Sequence, residues 1–171
     1  LDKKVVAIVT QVVVDENDAS FANPSKPIGP FMTEAEAHQH KLEDGWSIAE
    51  DAGRGWRRVV PSPEPLEIIE LETIRTLLDN NTLVVAAGGG GIPVIYKPDG
   101  TLRPRPAVID KDASSCLLAS DLGASIFVIS SDVDKVALNF GTPEQIDLDH
   151  LTIAQCKQYL DEGHFAPGSM R

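Results

Sequence analysis

Apolar residues fall into short runs set apart by polar, proline-rich and glycine-rich stretches. Lys3–Val14 is dense in Val and Ile and predicts one long β segment starting almost at residue 1. From Asp15 to about Gly55 the chain turns polar. There, Asn23-Pro24-Ser25-Lys26-Pro27-Ile28-Gly29-Pro30 predicts irregular chain, because prolines remove donors and restrict their neighbours. Thr33 followed by Glu36 spells a capping box and predicts a helix to about Leu42. Phe31, Trp46 and Trp56 give this excursion an apolar centre of its own, so it reads as a subdomain protruding from the main body. Arg54, Arg57 and Arg58 around Trp56 suggest a packed or ion-paired junction more than a nucleic-acid patch.

Val59–Pro65 then returns in extended form, and Ile68–Asp79 places Ile68, Leu71, Ile74, Leu77 and Leu78 on one helical face. Leu83–Ala87 predicts a buried strand, Lys97-Pro98-Asp99-Gly100 a hairpin turn, Ala113–Leu122 a helix and Ser125–Ser130 another apolar strand. Thr152–Glu162 predicts a last helix, closed by Gly163. Helices alternating with apolar strands indicate an α/β sheet with helices on its faces.

The 171 residues, 42% of them hydrophobic, suit one domain or a large lobe. A net charge of −11 argues against nucleic acid or an anionic membrane as partner, so any anion must be met by a few cations gathered locally. Cys116 and Cys156 read as buried free thiols, which fits a reducing cytosol. No apolar stretch reaches membrane-spanning length and no signal peptide is visible. The strand at one end and the Gly168-Ser169-Met170-Arg171 turn chemistry at the other read as cuts through a larger fold.

Gly88-Gly89-Gly90-Gly91 ends the run Leu83–Ala87. Glycine backbone can lie against a ligand and offer N–H donors to an anion, and parallel sheets carry ligands at the carboxyl ends of their strands. A plain linker fits the run equally well. No Gly-Lys-Ser/Thr follows, which excludes a Walker-type loop, and Pro93-Val94-Ile95-Tyr96 opens no helix, which excludes a dinucleotide fingerprint. Asp110-Lys111-Asp112 reads either as a phosphoryl-neutralising lysine near a helix start, with a neighbouring Asp to orient it or help position metal, or as a solvated start with Asp112 as N-cap. Lys26, between Pro24 and Pro27, is either a charge held for an anion or an exposed loop lysine. Ser130-Ser131-Asp132-Val133-Asp134 could meet a ribose or adenine, or be a polar turn. His38 and His40 read as solvated, with no metal-ligand spacing around them.

In order along the chain, Asn23–Pro30, Glu50–Pro63, Gly88–Val94, Val108–Asp112 and Gly163–Met170 resemble the motifs of the carbamate kinases. The resemblance runs from Val5 to Met170 and implies an open three-layer α/β/α sandwich of the amino acid kinase type. It implies three parts: 1–16 as the end of the N-terminal lobe, 17–58 as the protruding subdomain, and 59–171 as a truncated nucleotide-binding lobe. The implied reaction is reversible phosphoryl transfer between carbamoyl phosphate and ADP, giving ATP and carbamate, with Mg²⁺. The implied setting is arginine catabolism in a cytoplasmic homodimer. By position, Lys26 and Lys111 resemble the catalytic lysines and Asp112 the aspartate that organises them. Gly88, Gly89, Gly90 and Gly91 resemble the loop lining the transfer centre. Ser131, Asp132, Val133 and Val136, with Phe165, Pro167, Gly168, Ser169 and Met170, resemble walls of the nucleotide pocket.

The departures are specific. The family's Gly-Gly-Asn phosphate loop and His-Gly-Asn-Gly-Pro-Gln loop are absent, and a further lysine expected just beyond Gly168-Ser169-Met170 is not matched by Arg171. These departures predict little turnover by the 171 residues alone. They leave open a non-catalytic paralogue that binds nucleotide or a partner. An amino acid kinase acting on acetylglutamate, glutamate or UMP is disfavoured by the Lys26 excursion and Pro61-Ser62-Pro63.

Overall fold

The computed structural model describes residues 3–51 and 53–165. The chain divides into two compact units, Leu1–Phe127 and Val128–Arg171.

In the first unit the predicted long strand is two strands, β1 (Val5–Ala7) and β2 (Gln11–Val13). The break has a cause in the partners. β1 pairs in parallel with β7 (Leu83–Val85), whereas β2 pairs in parallel with β8 (Ile92–Tyr96), and Gly88–Gly91 lie between those two partners. The ladder must therefore change partner between Ile8 and Thr10. Ile8 N–H still donates to Val85 O at 2.9 Å, and Ile92 N–H donates to Thr10 O at 2.8 Å. β2 and β8 are the centre of a four-stranded mixed sheet, flanked by β6 (Glu67–Ile68) and β9 (Leu102–Pro104). The turn between β8 and β9 is the expected hairpin, with Gly100 at φ 79°.

Helix α2 (Leu71–Asp79) starts later than the pattern suggests, because Ile68 is spent in β6 against Val12. Val12, Val14, Ile68, Ile74, Ile95 and Ile109 form the buried core, each contributing about 1.5–3 kcal/mol by leaving water. Helix α3 (Lys111–Asp121) packs Leu117, Leu118 and Leu122 against it. Cys116 on this helix is exposed and Cys156 half-buried, so neither is buried as expected; both are free thiols.

The excursion folds as a three-stranded antiparallel sheet, order β3-β5-β4, with helix α1 (Glu34–Glu43). Its strands are β3 (Lys26–Met32), β4 (Ser47–Glu50) and β5 (Trp56–Val60). The proline-rich segment is thus partly regular, contrary to expectation. β3 is an edge strand with a register shift between Ile28 and Met32, the setting in which missing proline donors are tolerated. The capping box of Thr33 and Glu36 is present on α1. His38 and His40 are not simply solvated: His38 meets Trp56 edge-on at 5.3 Å, and His40 stacks on Trp46 at 4.2 Å. Arg54 and Arg57 lie over Phe31 and share Asp51, while Arg58 lies over Trp46, so the junction is both packed and ion-paired.

Ser125–Ser130 forms no strand. It joins no ladder among the described residues, and Ile126 and Val128 are each 79% exposed. In the second unit, β10 (Val136–Leu138) pairs antiparallel with β11 (Ile146–Leu148). Helix α4 (Ile153–Asp161) is capped by Thr152 and Gln155, and Gly163 follows it at φ 78°. The N–H of His164 reaches back to Tyr159 O, which closes the helix in a Schellman arrangement. No helix among the described residues is long and apolar enough to cross a membrane.

Candidate active site

The N-terminus of α3 gathers Lys26, Lys111 and Asp112 around Asp110. Asp110, not Asp112, is the N-cap: its Oδ1 accepts the N–H of Asp112 at 2.9 Å and of Ala113 at 3.2 Å. Its other oxygen, Oδ2, accepts Lys26 Nζ at 2.6 Å. Lys26 reaches it from the start of β3, and the backbone holds that approach where Val108 N–H donates to Pro61 O at 3.0 Å. Lys111 and Asp112 occupy the first turn beyond the cap, with Lys111 Nζ 3.1 Å from Asp112 Oδ1 and both side chains exposed. Burial is the largest influence on the Asp110 carboxyl and pushes its pKa up. The Lys26 hydrogen bond, the Ala113 and Asp112 N–H groups and the Lys26 charge together outweigh it and bring the pKa below the ordinary value.

The glycines lie at the carboxyl end of parallel strand β7, where the sequence places a ligand-binding edge. Their four positions divide into two kinds. A Cβ on Gly90, at φ 98°, would stand 2.1 Å from the Ile109 carbonyl oxygen, one residue before the cap; on Gly91, at φ 88°, it would stand 2.6 Å from Val12 Cγ2. These two glycines let the turn press against the core and the α3 entry. Gly88 and Gly89 meet nothing within 4 Å. Among the described residues, neither the Gly88 nor the Gly89 N–H is donated to a protein acceptor. The run is therefore more than a linker, and only its first half faces open space.

Thr10 is the site residue that sequence reasoning missed. It is 4% exposed, and its hydroxyl oxygen accepts the N–H of Ala87, which sits in the left-handed region at φ 54°. A lone threonine inside a Val/Ile run was the available signal.

The remaining expected residues belong to the second unit. Ser131, Asp132 and Val133 lie in an exposed loop of the second unit, Val136 opens β10, and Phe165 is half-buried just past α4. Pro167, Gly168, Ser169 and Met170 lie outside the described residues. Within the second unit, His164 Nδ1 is 3.0 Å from Asn139 Oδ1 and the ring meets Tyr159 edge-on. A groove of about 430 Å³ in the excursion, lined by Met32, Trp46 and Arg58 among others, includes none of the expected site residues. Among the described residues no three His, Cys, Asp or Glu side chains converge on a metal position. Asp110 is engaged through both oxygens by Lys26 and the helix, and Asp112 through Oδ1 by Lys111.

Residues 27–171 match the model of the amino acid kinase family. The chain belongs to the amino acid kinase family. Within it, the chain is 51% identical to a carbamate kinase of Staphylococcus epidermidis over 170 residues, which are 99% of this chain and 55% of that protein. Among solved structures it resembles the carbamate kinase of Giardia lamblia bound to citric acid, with TM-score 0.88 and 43% identity over 98% of this chain and 52% of that one. The same kinase bound to AMP-PNP gives TM-score 0.82 at 43% identity, over 98% and 53% of the two chains. The chain thus spans about half the length of the amino acid kinase relatives it matches.

Proposed function

We propose that this chain carries part of the active site of a carbamate kinase, which transfers a phosphoryl group between carbamoyl phosphate and ADP. The observation that supports the reading most is the gathering of Lys26 and the Lys111 turn at one helix N-terminus, against a glycine turn whose first two N–H groups are open. Phosphoryl transfer asks a protein mainly for positioning and for neutralisation of charge on the equatorial oxygens. Lys26 and Lys111 are suited to supply cations to those oxygens, and Gly88 and Gly89 to supply backbone donors. Asp112 restrains Lys111 between encounters. The nucleotide would be held by groups of the second unit, Ser131, Asp132, Val133, Val136 and Phe165, together with residues 167–170. Mg²⁺ enters as part of the nucleotide substrate, and no step is assigned to a protein-bound ion. Arginine breakdown as the source of carbamoyl phosphate, a homodimer and a cytoplasmic location complete the proposal.

The test is ATP formation from carbamoyl phosphate and ADP by the complete gene product. Removing one stabilising cation or donor of this kind costs on the order of 10²–10³ in kcat. Lys26→Met and Lys111→Met should each show a loss of that size. Wild-type turnover with acetylglutamate, glutamate or UMP but not with carbamoyl phosphate would overturn the reading.

A further inference from the structure

The two oxygens of Asp110 do different work. Oδ1 is taken up by the helix, accepting Asp112 and Ala113 N–H, while Oδ2 receives Lys26 Nζ from a residue 84 positions earlier. One rigidly capped carboxylate thereby ties the start of β3 to the turn that carries Lys111 and Asp112. A lysine side chain is a flexible four-carbon stem carrying a point charge, so left alone it samples many positions. Here its ammonium is held 2.6 Å from Oδ2 of a carboxylate that is itself fixed through Oδ1 by two backbone donors. The pair is only half-buried, at 36% and 41% side-chain exposure, so Lys26 keeps open directions in which to meet an anion.

We propose that Asp110 is a positioning residue: it seats Lys26 beside the α3 N-terminus, acting through Lys26 rather than on the substrate. This deepens the phosphoryl-transfer reading and rests on it. The seat has an opposing electrostatic effect. Asp110 partly cancels the Lys26 charge, so ground-state attraction for an anion is weaker than a bare lysine would give, while the placement of that charge is sharper. Misplacement of a reacting or stabilising group by about 1 Å can cost on the order of 10² in rate.

Asp110→Asn separates the two oxygens' roles, because asparagine caps helices as well as aspartate does but carries no charge. In the complete gene product, kcat for ATP formation should fall on the order of 10–10², while KM for carbamoyl phosphate stays level or decreases. In a Lys26→Met background Asp110→Asn should cause no further loss. A second readout needs no activity: reductive ¹³C-methylation of the lysines, followed by NMR, should show the Lys26 signal restrained in the wild type and mobile in Asp110→Asn. Wild-type kcat in Asp110→Asn, additive losses in the double variant, or a Lys26 signal unchanged by the substitution would each overturn the proposal. If the wild type makes no ATP from carbamoyl phosphate, the functional reading fails, and the Lys26 signal alone decides the seating.

Discussion

The Thr10 hydroxyl oxygen accepts the N–H of Ala87 at 2.8 Å, across 77 residues of sequence, at the point where β7 gives way to the glycine turn. Both residues are buried, and Ala87 holds a left-handed backbone that alanine seldom adopts. Thr10→Val keeps the shape but leaves that N–H without an acceptor. The expected cost is about 1–3 kcal/mol, read as a lower urea midpoint with unchanged m-value. An unchanged midpoint would show that the hydrogen bond does not hold the turn.

The two halves of the glycine run should separate under alanine substitution. Gly90→Ala drives a Cβ to 2.1 Å from the Ile109 oxygen at φ 98°, a clash with backbone that cannot rotate away. Strain and overpacking of this kind total about 2 kcal/mol or more, which lowers Tm by about 4–8 °C in a chain of this size. Gly88 meets open space, so Gly88→Ala should stay within about 0.5 kcal/mol of wild-type stability. Thermal melts of both variants check the contrast, and equal Tm losses would contradict it.

Acid should weaken the Lys26–Asp110 link. Its carboxyl pKa is lowered from an ordinary 3.8, so the stabilisation is fully present above that value and is lost as pH falls through it toward the folded-state pKa. The stability difference between wild type and Asp110→Asn should therefore be constant from pH 7 to about 5 and shrink below that. Fluorescence of Trp46 and Trp56, both in the excursion, is a convenient reporter. A difference that persists unchanged into strong acid would mean that the ion pair contributes nothing.

The 171 residues by themselves should give little or no turnover. Two phosphate- and carbamate-binding loops and one lysine of the resembled family have no counterpart in the sequence, and each such group is worth on the order of 10²–10³ in rate. Side-by-side assays of this chain and the complete gene product measure the gap, and equal rates would refute the expectation.

Local signals in the sequence carried over well. The box Thr33–Glu36 caps its helix, and Gly163 closes the last one, because each is settled by a few neighbouring residues. The glycine run was legible as an edge feature, and its division into packed and open halves was not, since Ile109 and Val12 come from other strands and turns. Asp112 was read as the N-cap because both aspartates suit a helix start; the N–H groups of Asp112 and Ala113, together with Lys26, converge on Asp110 and distinguish it. The Ser125–Ser130 run has the composition of a buried strand, but a strand exists through its partners, and among the described residues it has none. The break in Lys3–Val14 was hidden for the same reason, being dictated by the turn between β7 and β8.

The prolines of β3 have a consequence for the whole molecule's behaviour at high concentration. β3 is one of the two outer strands of its small sheet, and an outer strand offers unpaired donors on which another chain can grow. Pro27 and Pro30 carry no N–H to offer, and the register shift between Ile28 and Met32 interrupts the strand's regularity. The strand that presents Lys26 is thus a poor template for a second copy.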